Sequence, residues 1–270
     1  MKAKEQVQIR TASITLRDWI QDFELEHPRG VRIDLDSDGP RLMTTFAKVW
    51  MGNADNDGFN RLVLAADLDW REAVVLRTYA RWFGQLGMLL SQAYIEEALA
   101  SNAAAAGHLL RLFAARFNPG LSRPERRRAE GAHRRALERL LANVTRIDDD
   151  RILRAYIAAI DATLRTNYFQ TDASGEPRPY LAIKLDPRRL AQVPLPKPMF
   201  EIFVHSPRIE GVHLRMGRVA RGGLRWSDRR EDFRTEILGL MKAQHVKNTV
   251  IVPVGAKGGF VPRRPPPGRD

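Results

Sequence analysis

The stretch FEIFVHSPRIEGVHLRMGRV (200–219) decides the fold class. Apolar and polar residues alternate in FEIFVH (200–205) and again in VHLRMGRV (212–219). A period of two suits a half-buried strand and cannot sit on one face of a helix. YLAIKL (180–185) repeats the pattern just upstream. Downstream, SDRREDFRTEILGLMKAQHV (227–246) changes to helical spacing, with Phe233, Ile237, Leu240 and Met241 on one face. Ser227 or Asp228 is its candidate cap, and Glu231 and Asp232 fall in the first turn, where the helix dipole favours carboxylates. TVIVPV (249–254) is a nearly continuous apolar run, as in a strand buried on both faces. VPRRPPPGRD (261–270) is too rich in proline for regular structure.

Working outward, QTDASGEPRP (170–179) reads as a linker or loop, and the chain before it is helical. DWREAVVLRTYARWF (69–83) opens with Asp69 as N-cap and Glu72 three residues on, a capping-box arrangement. Val75, Leu76, Tyr79, Ala80 and Phe83 then share a face. SQAYIEEALA (91–100) and AAGHLLRLFAARF (105–117) follow, stopped by Asn118-Pro119-Gly120. DDDRILRAYIAAIDATLRTNYF (148–169) places Leu153, Ile157, Ile160 and Leu164 on one stripe behind three aspartates. The aromatic residues of this region follow core spacing. The first residues are different: QVQIR (6–10), ASITL (12–16) and VRIDLD (31–36) alternate, separated by turn chemistry in EHPRG and DSDGP, with a possible helix in RLMTTFAKVWMGN (41–53). The expectation is an α+β or α/β chain. A β-rich segment occupies 1–66, a helical domain 67–169, the opening of an α/β domain 170–262 and an irregular tail 263–270.

Composition bounds the function. The 270 residues are 44% hydrophobic and 28% charged, which excludes wholesale disorder. No apolar run approaches the roughly 20 residues of a membrane span, and MKAKEQVQIR has no signal-like apolar core. The absence of cysteine excludes disulfides, thiolate metal sites and thiol catalysis, and suits a cytoplasmic protein. The net charge of +12 admits nucleic acid or anionic substrates as partners. Much of that charge lies in SRPERRRAEGAHRRALERL (122–140), where Glu125, Glu130 and Glu138 interleave the arginines as on a solvated helix. A basic nucleic-acid-binding module and a helical interaction module are the alternatives to an enzyme.

Two glycine pairs bracket the helix of 227–246: ARGGLRWSD (220–228) and VGAKGGF (254–260). A Gly-Gly pair lets backbone approach a ligand closely. Each pair has cations beside it, Arg221 and Arg225 in the first and Lys257 in the second. Three of only eight lysines, Lys242, Lys247 and Lys257, fall within 242–257. Cations converging on glycine-lined backbone suit a small dicarboxylate. A lysine in a glycine turn after a buried strand, near other cations, is pushed toward the neutral amine that a general base needs. Composition alone also allows two ordinary surface turns and a surface lysine. VGAKGG is not a phosphate-binding Walker loop, no Gly-x-Gly-x-x-Gly occurs, and His205, His213 and His245 lack metal-ligand spacing and read as structural.

Residues 200–262, with the helical stretches from about 60 onward, resemble the glutamate dehydrogenases, most closely the large NAD-specific bacterial class. The β-rich start is similar, more weakly, to the end of an ACT-type regulatory region. The resemblance implies oxidative deamination of L-glutamate to 2-oxoglutarate and ammonia with NAD, in a homo-oligomer, with no nucleic acid or membrane as partner. It implies Lys257 as the catalytic lysine. Lys247, with Lys242 as rival, would hold a substrate carboxylate. Arg221 stands where the small enzymes carry a lysine, and Gly222 and Gly223 would bring backbone to the substrate. No metal is implied. Residues 170–262 would open the substrate-binding domain. The family's catalytic aspartate and Rossmann NAD domain follow the catalytic lysine and are not in this sequence, so no residue here is assigned to NAD. The 270-residue chain is therefore expected to be part of a longer enzyme and inactive alone.

Overall fold

A computed structural model describes residues 2–9, 18–24, 33–88, 90–218, 222–247 and 255–264, with backbone only at 2–9, 18–24 and 244–247. The architecture is mixed helix and sheet, compatible with α+β. No described helix is long and apolar enough to cross a membrane.

Strands β1 (Lys2–Ile9) and β2 (Asp18–Glu24) pair antiparallel. Helix α1 (Gly39–Trp50) follows, with Pro40 in its first turn. The expected strand at 31–36 does not appear in its described part. Residues 35–38 form a turn instead, in which Asp34 accepts from the Asp36 N–H at 3.0 Å. Such side-chain-to-backbone bonds compete with ladder pairing. ASITL lies outside the described residues.

After the one-turn α2 (Leu62–Ala65), helices α3 (Trp70–Gln85), α4 (Gln92–Ser101), α5 (Ala103–Phe117), α6 (Arg123–Leu141) and α7 (Ile147–Ala162) form the helical region. The capping box at Asp69 is complete, with Oδ1 accepting from Glu72 N–H at 2.7 Å and Glu72 Oε2 accepting from Asp69 N–H at 2.9 Å. All five expected face residues of α3 are buried. Tyr79, Phe83, Phe113 and Tyr156 meet edge to face, a favoured aromatic geometry. Helix α6 is solvated as expected, burying only Ala136, Leu137 and Leu141.

The helix of 148–169 ends earlier than its apolar stripe suggests. It stops at Ala162, and Leu164 is an exposed residue of strand β3 (Thr163–Thr166). Thr163 explains the break. Its hydroxyl donates to the Ala159 carbonyl at 2.8 Å and meets the Tyr79 hydroxyl at 2.8 Å, while its backbone turns extended.

Strand β3 begins a six-stranded sheet completed by β4 (Leu181–Leu185), β5 (Phe200–His205), β6 (Ile209–Arg215), β7 (Leu224–Trp226) and β8 (Ala256–Pro262). The order is β3-β4-β5-β6-β8-β7, antiparallel throughout except for the parallel β7–β8 pair. Helix α8 (Phe233–Lys247) connects β7 to β8, as a parallel pair requires. It starts at Phe233 rather than near Ser227, because the hydroxyl of Ser227 is engaged elsewhere. It donates to Glu236 Oε2 at 2.5 Å and accepts from Arg229 N–H.

Register sets three rungs on the helix-covered face. They are Glu201–Leu214–Lys257, Phe203–Val212–Gly259 and His205–Glu210–Val261 across β5, β6 and β8. One buried cluster runs from α3 and α5 through these rungs to α8, so helices and sheet share a core. Glu201 lies within it, wholly buried. Arg234 grips it through Nε and Nη2 at 2.7 Å each, and Trp82 Nε1 donates to it at 2.7 Å. Burying this pair costs desolvation, which its bidentate geometry and third bond offset.

Candidate functional site

The sheet brings the two glycine motifs together. Lys257 is the second residue of β8, half-buried, between β6 and β7. The expectation of a glycine turn is corrected here, since Lys257, Gly258 and Gly259 are all strand residues. Strand alternation puts Lys257 on the face of Gly259, where Ile237 of α8 packs. The preceding strand expected at 249–254 lies outside the described residues.

The glycines allow close approach, and in the described structure the approach is by protein. A Cβ on Gly222 would stand 1.5 Å from the Ala256 carbonyl oxygen. One on Gly259 would meet Ile237 at 2.5 Å, and one on Gly258 would meet Leu224 at 2.7 Å. Gly258 N–H donates to the Gly223 carbonyl at 3.1 Å. Two extended segments thus lie tightly enough that a side chain at these positions would part them. Gly222 and Gly223 are exposed and border the start of β8.

The remaining candidates are placed unevenly. Lys242 is exposed on α8, and Lys247 is the last residue of that helix. Arg221 lies outside the described residues. Arg225, a cation beside the first glycine pair, pairs with Glu236 at 2.8 Å and ties β7 to the first turn of α8. The arginines of α6 are partly engaged as well. Arg134 binds Asp161 through both terminal nitrogens, and Arg126 donates to the Asn118 carbonyl.

A second charged cluster closes the far end of the rungs. The His205 ring, buried, stands 3.2 Å from Asp55 through Nε2 and 3.2 Å from Glu210 through Nδ1. Arg263 donates to Asp55 Oδ2 at 2.7 Å. Burial alone would raise the Asp55 carboxyl, but hydrogen bonds from His205 and Arg263 outweigh it and hold the group well below the usual carboxylate range. Glu210 is lowered by the same balance, burial being overcome by His205, Arg81 and Arg263. Asp55 and Arg263, 208 residues apart, could not be paired from sequence. Neither could the Glu201–Arg234 pair, since an alternating strand gives no sign that one inward position is a carboxylate with a partner.

The family model described as bacterial NAD-glutamate dehydrogenase, catalytic domain, matches residues 136–270, half of the chain. The chain belongs to this family. A second family model, glutamate dehydrogenase helical motif 3, matches residues 54–119. The family's catalytic-domain match thus begins within α6 and takes in α7, the whole sheet and α8. The chain is 52% identical over 252 residues to the NAD-specific glutamate dehydrogenase of Halomonas elongata and 48% identical over 252 residues to that of Pseudomonas aeruginosa. To the Mycobacterium tuberculosis protein of the same name it is 48% identical over 267 residues. These alignments cover 93%, 93% and 95% of this chain and 16% of each relative. The chain therefore spans about a sixth of the length of the curated relatives it matches. Within the family, NAD needs a pyrophosphate cradle, and this sequence has no Gly-x-Gly-x-x-Gly turn. The residues present do not fit NAD.

Proposed function

We propose that this chain supplies substrate-side elements of an NAD-dependent glutamate dehydrogenase, in which L-glutamate, water and oxidised NAD are converted reversibly to 2-oxoglutarate, ammonia and reduced NAD with release of a proton. The observation that carries the reading is the seating of Gly222–Gly223 against the strand that holds Lys257, through the Ala256 and Gly258 backbone. The Gly222–Gly223 pair and Lys257, distant in sequence, are neighbours at the start of β8.

In this proposal Lys257 is the catalytic residue. Its amine would take a proton from the attacking water and stabilise charge that develops at the α-carbon. Arg221 would grip one substrate carboxylate bidentately, and Lys247, or Lys242, would hold the other as a point charge. Lys247 suits this role by its place at the C-terminal end of α8. The exposed backbone of Gly222 and Gly223 leaves room for the substrate beside them. NAD, a cytoplasmic setting, a homo-oligomeric assembly and an ACT-type origin for the first residues belong to the same proposal.

The test is Lys257→Ala in the full-length enzyme. Turnover with glutamate and NAD should fall by at least about a thousandfold, in the range seen on losing a proton-transfer group together with a charge stabiliser. Charge-neutralising changes at Arg126, Arg127 and Arg128 should leave it unchanged. Retained turnover in Lys257→Ala defeats the assignment. The 270-residue chain alone is expected to give no turnover with glutamate and NAD.

A further inference from the structure

Strand β7 lies at an edge of the sheet, is three residues long and, among the described residues, pairs with β8 alone. Its residues, Leu224, Arg225 and Trp226, are all exposed. So short an edge pairing, and a parallel one, holds a strand weakly. Yet β7 follows directly on Gly222 and Gly223 and, before them, Arg221. Lys257 is held differently. Its strand pairs with β6 along its whole length, from Ala256 opposite Arg215 to Pro262 opposite Ile209.

One side chain makes up the difference. Glu236, in the first turn of α8 and only 15% exposed, uses both carboxylate oxygens on the end of β7. Oε1 pairs with Arg225 Nε at 2.8 Å, and Oε2 accepts from the Ser227 hydroxyl at 2.5 Å. Ser227 is buried, and its N–H donates to the Phe260 carbonyl of β8 at 2.9 Å. Ile237, the next residue of the helix, lies against Gly259. Hydrogen bonds to an ionised carboxylate are stronger than neutral ones, and two of them set both position and angle. Glu236 thus fixes the end of β7 to α8, while Ser227 fixes it to β8.

We propose that Glu236 is a positioning residue for glutamate binding. Through Ser227 and Arg225 it sets where Gly222 and Gly223, and Arg221 before them, meet the strand of Lys257. The inference rests on the reading of Arg221 and Lys257 as glutamate-site residues. Glu236 acts through β7 and takes no part in proton transfer. The two carboxylates of glutamate do not react, so a segment that grips one of them binds substrate and transition state alike. Loosening it raises KM and leaves kcat largely in place, because Lys257 keeps its own ladder to β6.

Steady-state kinetics of the full-length enzyme test this. In Glu236→Gln, which keeps the shape and loses the charge, KM for glutamate should rise about tenfold, with kcat within about threefold of wild type and KM for NAD unchanged. Ser227→Ala deletes a single hydroxyl and carries the test should Glu236→Gln fold poorly. It should raise KM for glutamate by about threefold or more. The double variant should fall well short of the product of the two effects, since both remove the same bond. A glutamate KM that stays at the wild-type value in Ser227→Ala overturns the proposal. So do equal rises in KM for glutamate and for NAD, a fall in kcat alone, or multiplying effects in the double variant. If Lys257→Ala keeps turnover, the glutamate-site reading fails and takes this inference with it. If Lys257→Ala abolishes turnover while Ser227→Ala leaves KM for glutamate unmoved, this inference alone fails.

Discussion

The helical region and the β7–α8–β8 unit reach close packing by opposite means. In α3, α5 and α7 large side chains fill the space, with Tyr79, Phe83, Phe113 and Tyr156 packed edge to face and the start of α3 closed by its capping box. In β8 and the segment that leads into β7 the packing depends on side chains being absent, at Gly258, Gly259 and Gly222. The first kind of packing loses contacts gradually when trimmed. The second tolerates no addition. Between them stands Glu201, which takes one bond from Trp82 of the helical region and two from Arg234 of α8.

The largest effect is expected where the two regions join. Arg234→Met leaves a buried carboxylate without its charge partner, so thermal or denaturant unfolding should show a loss of about 3–5 kcal/mol. A loss under 1 kcal/mol would mean that Trp82 alone can hold Glu201. Next comes an added methyl. Gly222→Ala sets a Cβ against the Ala256 backbone and should cost about 1–3 kcal/mol, at the upper end because a carbonyl cannot rotate away. Gly259→Ala meets the Ile237 side chain, which can shift where a backbone carbonyl cannot, and should cost less. If the two variants prove equal, the distinction between backbone and side-chain contact fails. Smaller again is Ser122→Ala in the capping box of α6, expected to cost about 1 kcal/mol by chemical denaturation.

The least effect is a pH dependence within the helical region. His108 of α5 and His133 of α6 face each other with Nδ1 atoms 3.2 Å apart. Both sit below the ordinary histidine value of 6.5, first through burial and then through nearby positive charge, Arg111 for both, Arg139 for His108 and His108 itself for His133. The unfolded chain therefore takes up protons that the folded helices refuse, and stability is retained above pH 6.5 and declines as pH falls below it. Melting temperatures of wild type and His108→Gln at neutral and mildly acidic pH check the sign. The wild type should lose more on acidification than the variant.

What could be read from the sequence follows the same division. Filled packing leaves a periodic trace, so the face of α3, its Asp69–Glu72 cap and the alternation of β5 were all legible. Emptied packing does not. A Gly-Gly pair reads as a turn, and only Leu224, Ile237 and Ala256, brought close by the fold, explain why Gly258, Gly259 and Gly222 must be bare. The end of α7 was hidden for a related reason. Leu164 continues the apolar stripe, while the stop is written in one hydroxyl, Thr163, whose partner Tyr79 is 84 residues away. For the site, the candidate residue types were visible as charges beside glycines, but not that Arg225 is engaged by Glu236.

The Glu201 carboxylate has one further consequence. It shares a rung with Leu214 and Lys257, so the strand position that carries the lysine is two strands removed from an oxygen pair gripped by two different helices. Sliding α3 or α8 along the sheet breaks a bond to that oxygen pair. The carboxylate thus works as a surveyor's mark, against which the heights of both helices and of the lysine strand are fixed together.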